Sequence, residues 1–134
     1  MELSRMKRFA LVLSLWLGLP ALGLAQPEVF NPVKEAIKKG DAAALVKTFA
    51  GSVDINLEGN INTYSKAQSE FILKDFFKKH PVTDFTIVHT GSSKGGLLFA
   101  IGRYLSANES YNVLIRVRQV GEPYLVHEIS FVKE

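Results

Sequence analysis

Apolar residues recur along the chain at two periods, and the points where one period gives way to the other mark out its elements. Asn31-Pro32 reads as a helix N-cap followed by proline at the first helical position, Gly40 lies just past the far end, and Val33, Ala36 and Ile37 share one face between them. Asp41 caps a second helix, in which Ala42, Leu45, Val46 and Phe49 keep helical spacing up to Gly51. The period then drops to two. Val53, Ile55 and Leu57 share one side of a strand, Glu58-Gly59-Asn60 makes a turn, and Ile61 to Tyr64 returns as a second short strand. Ser65 opens the longest helix, over 66–80, with Phe71, Ile72, Leu73, Phe76 and Phe77 as a broad apolar stripe and charged residues largely opposite. His80-Pro81 ends it, because a residue before proline resists the helical region. Four strands follow at about 84–92, 97–106, 111–120 and 124–133, and their connections Ser93-Lys94-Gly95-Gly96, Ala107-Asn108-Glu109-Ser110 and Gly121-Glu122-Pro123 all carry turn chemistry.

This order predicts an α+β fold, a cone of two short and one long helix packed on a curved antiparallel sheet that ends in a four-stranded meander. Pairing Ser92 with Leu97, Ser106 with Tyr111 and Val120 with Tyr124 sets a register. One face is then almost wholly apolar, as a helix-covered face must be, and carries His89 and His127 in one row. The other face carries Arg103, Arg116, Arg118, Glu128 and Ser130, with Arg116 opposite Glu128 as a surface ion pair. Ala100 and Gly102 sit mid-sheet between bulky neighbours and open space beneath the helices. Phe85, His89, Gly102, Tyr104, Tyr111 and His127 are the candidate lining of a ligand pocket there, apolar with a few polar groups. The alternative is that Phe71, Leu73 and Phe77 fill that volume.

Ahead of this domain the pattern changes. Arg5, Lys7 and Arg8 precede an apolar run from Phe9 to Leu24, and Gly23 and Ala25 take the −3 and −1 positions of a cleavage site before Gln26. A basic start, a short apolar run and a small-x-small end predict a signal peptide, 1–25, ahead of a single domain, 26–134, exported to the periplasm or secreted; an uncleaved membrane anchor is the alternative. The formal charge of +3 owes much to that segment. Without Arg5, Lys7, Arg8 and Glu2, 13 basic and 12 acidic side chains remain, and a net charge of +1 lacks the basic stripe of a nucleic-acid binder. A composition 47% hydrophobic and 22% charged is that of a globular protein. Cysteine is absent, which excludes disulfides, thiolate nucleophiles and thiolate metal sites and leaves the domain to rest on its core. No later apolar run approaches the ~20 residues of a membrane-spanning helix.

In the expected register His89 and His127 lie three strand spacings apart, about 14 Å at ~4.8 Å per strand, too far for a hydrogen-bonded dyad or a shared metal. Glu128 points away from His127, and Asp84 differs in parity from His89, so neither orients an imidazole. No Ser/His/Asp set, His-x-x-x-His or carboxylate cluster is visible, and no catalytic residue, metal or cofactor is expected. Gly91 to Gly96 lacks the spacing of a phosphate loop and leads into a strand. Asn108-Glu109-Ser110 fits a glycosylation acceptor triplet, a pattern common by chance.

Tyr64-Ser65-Lys66, Gln68, Ile72-Leu73-Lys74, Phe76-Phe77 and Pro81 can be read together with Phe85, His89, Gly91-Ser92, Ala100-Ile101-Gly102, Tyr124-Leu125 and Glu128 to Phe131. They resemble a domain-of-unknown-function family of short exported proteins found mainly in Bacteroidetes, within the nuclear-transport-factor-2-like (cystatin-like) superfamily. The resemblance covers about residues 28–133. It implies a cone of helices over a bent sheet and an exported location, but no reaction, since the family has none established. Enzymes of the wider superfamily tend to set an Asp–His or Asp–Tyr pair in the cone. Here the expected interior offers His89, His127, Tyr104 and Tyr111 without a carboxylate. A cystatin-type inhibitor would need a Gln-x-Val-x-Gly hairpin, and Gln119-Val120-Gly121 lacks that spacing. The expectation is therefore an exported non-catalytic module that binds a small apolar ligand or an envelope protein through the cone, with a homodimer as a further partner. A small isomerase or dehydratase with His89 as general base is the alternative.

Overall fold

The computed structural model describes residues 28–119 and 123–134; the leader expected over 1–25 and the tip of the last hairpin lie outside the described residues. A single 3₁₀ turn, Glu28–Phe30, leads into α1 (Asn31–Lys39), which has proline in its first turn and ends at Gly40 with φ 62°, a left-handed conformation open to glycine. Asp41 accepts a hydrogen bond from Ala44 N at 3.0 Å and opens α2 (Ala42–Val46). This helix stops earlier than its spacing suggests. Thr48 Oγ1 donates to the Leu45 carbonyl at 2.6 Å, the Thr48 carbonyl accepts from Val126 N at 2.8 Å, and the chain continues as strand β1 (Phe49–Leu57). Phe49 has helical spacing to Leu45, but its backbone pairs with Val126 near the other end of the chain, so long-range pairing overrides the local pattern.

β1 and β2 (Asn60–Ser65) form a hairpin whose turn residues Glu58 and Gly59 both have positive φ, 54° and 93°. Ser65 and Gln68 then make a full capping box on α3 (Lys66–Lys79), with Gln68 N to Ser65 Oγ at 3.2 Å and Ser65 N to Gln68 Oε1 at 3.1 Å. The buried face of α3 is Ser69, Leu73, Phe76 and Phe77. Phe71, expected in that stripe, is 77% exposed. It lies about 200° round the helix from Leu73, so it faces outward once Leu73, Phe76 and Phe77 set the phase.

The last four strands are β3 (Asp84–Ser93), β4 (Leu97–Ser106), β5 (Glu109–Gln119) and β6 (Tyr124–Lys133). The six strands form one sheet in the order β2-β1-β6-β5-β4-β3, in which β1 and β6 run parallel and all other neighbours antiparallel. Helices cover one face of this curved sheet, here called the closed face, and leave the other open. Because β5 begins at Glu109, the β4–β5 turn is Ala107-Asn108 alone, with Ala107 at φ 51°, and Tyr104 stands opposite Tyr111 in place of Val113. A shift of two residues keeps every side chain on its expected face.

Two bulges change more. Val88 is an extra residue between Ile87 and His89, so His89 pairs with Ile101 on the open face. His127 is an extra residue between Val126 and Glu128 and has no partner on β5. The two histidines expected in one closed-face row therefore do not share it.

Candidate functional site

The six residues expected to line a pocket separate into three places. Phe85, Tyr104 and Tyr111 are fully buried core residues of the closed face. Gly102 lies among them, but it opens no hollow: a Cβ there would come within 2.8 Å of both the Phe85 ring and the Thr86 carbonyl oxygen. The neighbouring strand, and not a helix, has filled the space. His89 is exposed on the open face with its ring 5.9 Å from that of Phe99, and among the described residues no carboxylate bonds to it. His127 also leaves the closed-face row and borders a cavity on the open face.

The interior of the cone is occupied by aromatic rings. Phe76 is the hub, with centroid distances of 4.7 Å to Phe131, 5.1 Å to His80, 5.5 Å to Tyr111, 5.6 Å to Tyr104 and 6.0 Å to Phe77. A polar cluster closes one end of this stack. Tyr104 donates its hydroxyl to the His80 carbonyl at the end of α3. His80 Nδ1 lies 3.2 Å from Glu109 Oε1 and 3.0 Å from the Tyr111 hydroxyl, which in turn donates to Glu109 Oε2 at 3.2 Å. A proton on Nδ1 satisfies all three groups at once, and the network assigns that tautomer. Lys133 Nζ completes the cluster 2.6 Å from Glu109 Oε2.

That lysine, by its hydrogen bond first of all, holds the Glu109 carboxyl below its ordinary range. Burial pushes the Tyr111 phenol up to about 12 and Tyr104 further still. Imidazole, phenol, carboxylate and ammonium within bonding distance are chemically able to pass a proton. Here the Phe76 ring packs against the imidazole and the phenol, Glu109 and Lys133 are partly exposed, and the arrangement ties the C-terminus of α3 to the sheet. Sequence reading missed this cluster because it placed Glu109 in a turn and saw His80 only as a helix terminator. The available signal was parity: once β5 starts at Glu109, that residue and Tyr111 share a face.

The open face is different. A cavity of about 600 Å³ there is bordered by Leu97, Arg116, Arg118, Leu125, His127 and Glu128 together with the Ala50–Asp54 part of β1. Beside it a groove of about 340 Å³ runs over Leu97, Phe99, Ile101 and Leu114 and shares Leu97 and Arg116 with the cavity. Phe99 lies against the backbone of Gly91, where a Cβ would collide with its ring. Arg116 and Glu128 are 3.8 Å apart, too far for a good hydrogen bond. Arg118 has no ion pair or hydrogen bond among the described residues. His127 Nε2 is buried from solvent and has no hydrogen-bond partner among the described residues. Among the described residues no group of His, Asp and Glu is arranged to hold a metal ion, and no helix is long and apolar enough to cross a membrane.

This architecture is similar to several solved structures. A DUF4783 family protein from Bacteroides uniformis is 28% identical and superposes with a TM-score of 0.73 over 78% of this chain and 95% of its own. A nuclear-transport-factor-2-like protein of unknown function from Shewanella baltica is 14% identical, with a TM-score of 0.62 over 80% of this chain and 89% of its own. A domain of unknown function with a cystatin-like fold from Nostoc punctiforme is 10% identical, with a TM-score of 0.60 over 79% of this chain and 73% of its own. At such identities the last two show the fold alone. No curated protein sequence matches the chain. The family described as domain of unknown function DUF4783 matches residues 30–131, and the chain belongs to it.

Proposed function

We propose that the protein is an exported, non-catalytic binding module that engages its ligand or partner through the open face of the sheet and not through the cone. The contrast between a cone whose centre is filled by Phe76 and its neighbours and an open-face cavity bordered by Arg118, which has no partner among the described residues, carries this reading. An open apolar groove next to charged groups is the usual form of a recognition surface. Export is supported by the basic, apolar and small-residue order of residues 1–25. The isomerase or dehydratase alternative needed an acid to orient His89, and none of the described residues supplies one.

Native mass spectrometry of protein purified from its own cell envelope tests both halves. The expected result is a chain beginning at Gln26 that carries a retained ligand or partner, with the retained mass lost from Leu114→Asp. A chain that keeps Phe9 to Leu24 overturns the export half. A retained mass indifferent to Leu114→Asp overturns the open-face half.

A further inference from the structure

We infer that the cavity and groove of the open face hold one ligand, a single-chain aliphatic carboxylate with its head at Arg116 and Arg118 and its chain over Leu97, Phe99 and Leu114. The inference rests on the binding-module reading and names the ligand class for that surface.

Continuity is the first argument. The two depressions share Leu97 and Arg116, so one molecule can occupy both. Their chemistry changes along the β4–β5 pair: Arg118 and Arg116 stand across from Leu97 and Phe99, and beyond them Ile101 faces Leu114, so the row passes from flanking guanidinium groups to apolar residues alone. Leu97, Phe99 and Ile101 occupy alternate positions of β4 and so line up over about 13 Å, the span of four residues of strand. An extended alkyl chain lies along such a row.

Charge decides the head. Arg118 has no partner among the described residues, and Arg116 meets Glu128 at a distance that leaves its donors largely free. A guanidinium fork matches a planar carboxylate with two parallel hydrogen bonds. Asp54 and Glu128 pair side by side across β1 and β6 and border the same cavity. A second negative charge on a phosphate head would raise its repulsion by these two carboxylates along with its attraction to the two guanidinium groups, so it gains little over a single charge, and the planar fork favours the carboxylate. An uncharged head would leave Arg118 unmatched.

The test is an amide-resolved NMR titration with decanoate below its micellar concentration, alongside decanol and decyl phosphate. Decanoate is expected to shift the amides of Leu97 to Ile101 and Leu114 to Arg118. Arg118→Gln is expected to weaken decanoate by about tenfold or more, the usual worth of a charged hydrogen bond, and to leave decanol unchanged. If decanol binds the parent as tightly as decanoate, or Arg118→Gln has no effect, the carboxylate inference falls while an apolar open-face site stands. Tighter binding of decyl phosphate overturns the choice of head. Absence of shifts at these amides overturns the ligand class altogether, and the retained mass on Leu114→Asp then still judges the open-face reading.

Discussion

The two faces of the sheet come from the same strands, in which alternate residues point to opposite sides, yet they have been finished in opposite ways. On the closed face the residues that might have bordered a hollow have consumed it: Phe85 covers Gly102, Phe76 packs on Tyr104, Tyr111 and Phe131, and the phenols at the end of the stack are hydrogen-bonded. On the open face large apolar side chains stay half exposed, and Arg118 and His127 Nε2 have no partner among the described residues. A cone-shaped fold does not by itself supply a pocket. Side-chain volume beneath the helices decides whether one remains: the rings fill the hollow expected around Gly102, while a depression of about 330 Å³ remains between Ile72 and Asp75 of α3 and the β1–β2 hairpin.

The largest expected effect breaks the closed face at its hub. Phe76→Ala removes a ring that touches five others, and the loss should be about 3–5 kcal/mol in denaturant melts. Phe99→Ala, the open-face counterpart, should cost about 1 kcal/mol or less because the ring is only half buried. Equal losses would show that the two faces are packed alike. In Phe76→Ala, stabilisation by a small aromatic such as phenol would show that the void next to His80 and Tyr111 is open to a guest.

How far these faces were legible in the sequence can be read from particular residues. Strict alternation in β4 and β5 assigned Tyr104, Val113 and Ile115 to the covered side, and the structure buries all three. Arg116 opposite Glu128 was also readable, since the β5–β6 register holds from Val113 to Arg116. The bulges at Val88 and His127 were not, because the one-residue slip in alternation falls where apolar and polar residues adjoin, Ile87-Val88-His89 and Val126-His127-Glu128, and hydropathy does not mark which of them turns inward; each slip moved a histidine out of the expected row. The parallel pairing of β1 with β6 was equally hidden: no turn joins them, and contacts that distant are set by the fold as a whole. The filled cone escaped for a third reason. Gly102 reads as space only until Phe85 is known to lean over it.

The next effect sharpens the comparison through pH. Burial raises Tyr111 from its ordinary 10 to about 12 and raises Tyr104 as well. A folded value above the unfolded one means the contribution is whole below pH 10 and is lost as pH climbs through about 12, on the order of 2 kcal/mol for Tyr111. Lys133, raised chiefly by its hydrogen bond to Glu109, acts in the same direction. Glu109 is lowered, so its contribution fades at the other end, as pH falls through the acid range. Melts between pH 8 and pH 12 should show Tyr111→Phe losing less stability than the parent. An equal alkaline slope in both would place Tyr111 in contact with solvent.

A pair of glycine substitutions comes next in size. Gly102→Ala drives a methyl group against the Phe85 ring and the Thr86 carbonyl, neither of which can retreat within the core, and should cost about 1–3 kcal/mol. Gly91→Ala meets the Phe99 ring, the far end of a half-buried side chain on the open face, and should cost about 1 kcal/mol or less if that ring gives way. Neither glycine has a positive φ, so the difference reports packing and not backbone strain. If Gly91→Ala proves the more costly, Phe99 is pinned and the groove it borders is a rigid surface.

The smallest expected effect concerns the pair that spans the open face. Arg116 and Glu128 are 3.8 Å apart, with side chains 54% and 31% exposed, and an ion pair of that kind contributes about 0–1 kcal/mol. Glu128→Gln should therefore leave the melting transition within about 1 kcal/mol of the parent. The same change removes one of the two carboxylates bordering the cavity and frees the Arg116 guanidinium, so anionic ligands should bind more tightly and the gain should shrink as salt is added. A substitution nearly silent in stability and audible in anion affinity is the signature of a face arranged for recognition. A loss of several kcal/mol from Glu128→Gln, with no change in affinity, would instead make this pair a structural strut and return the open face to the same role as the closed one.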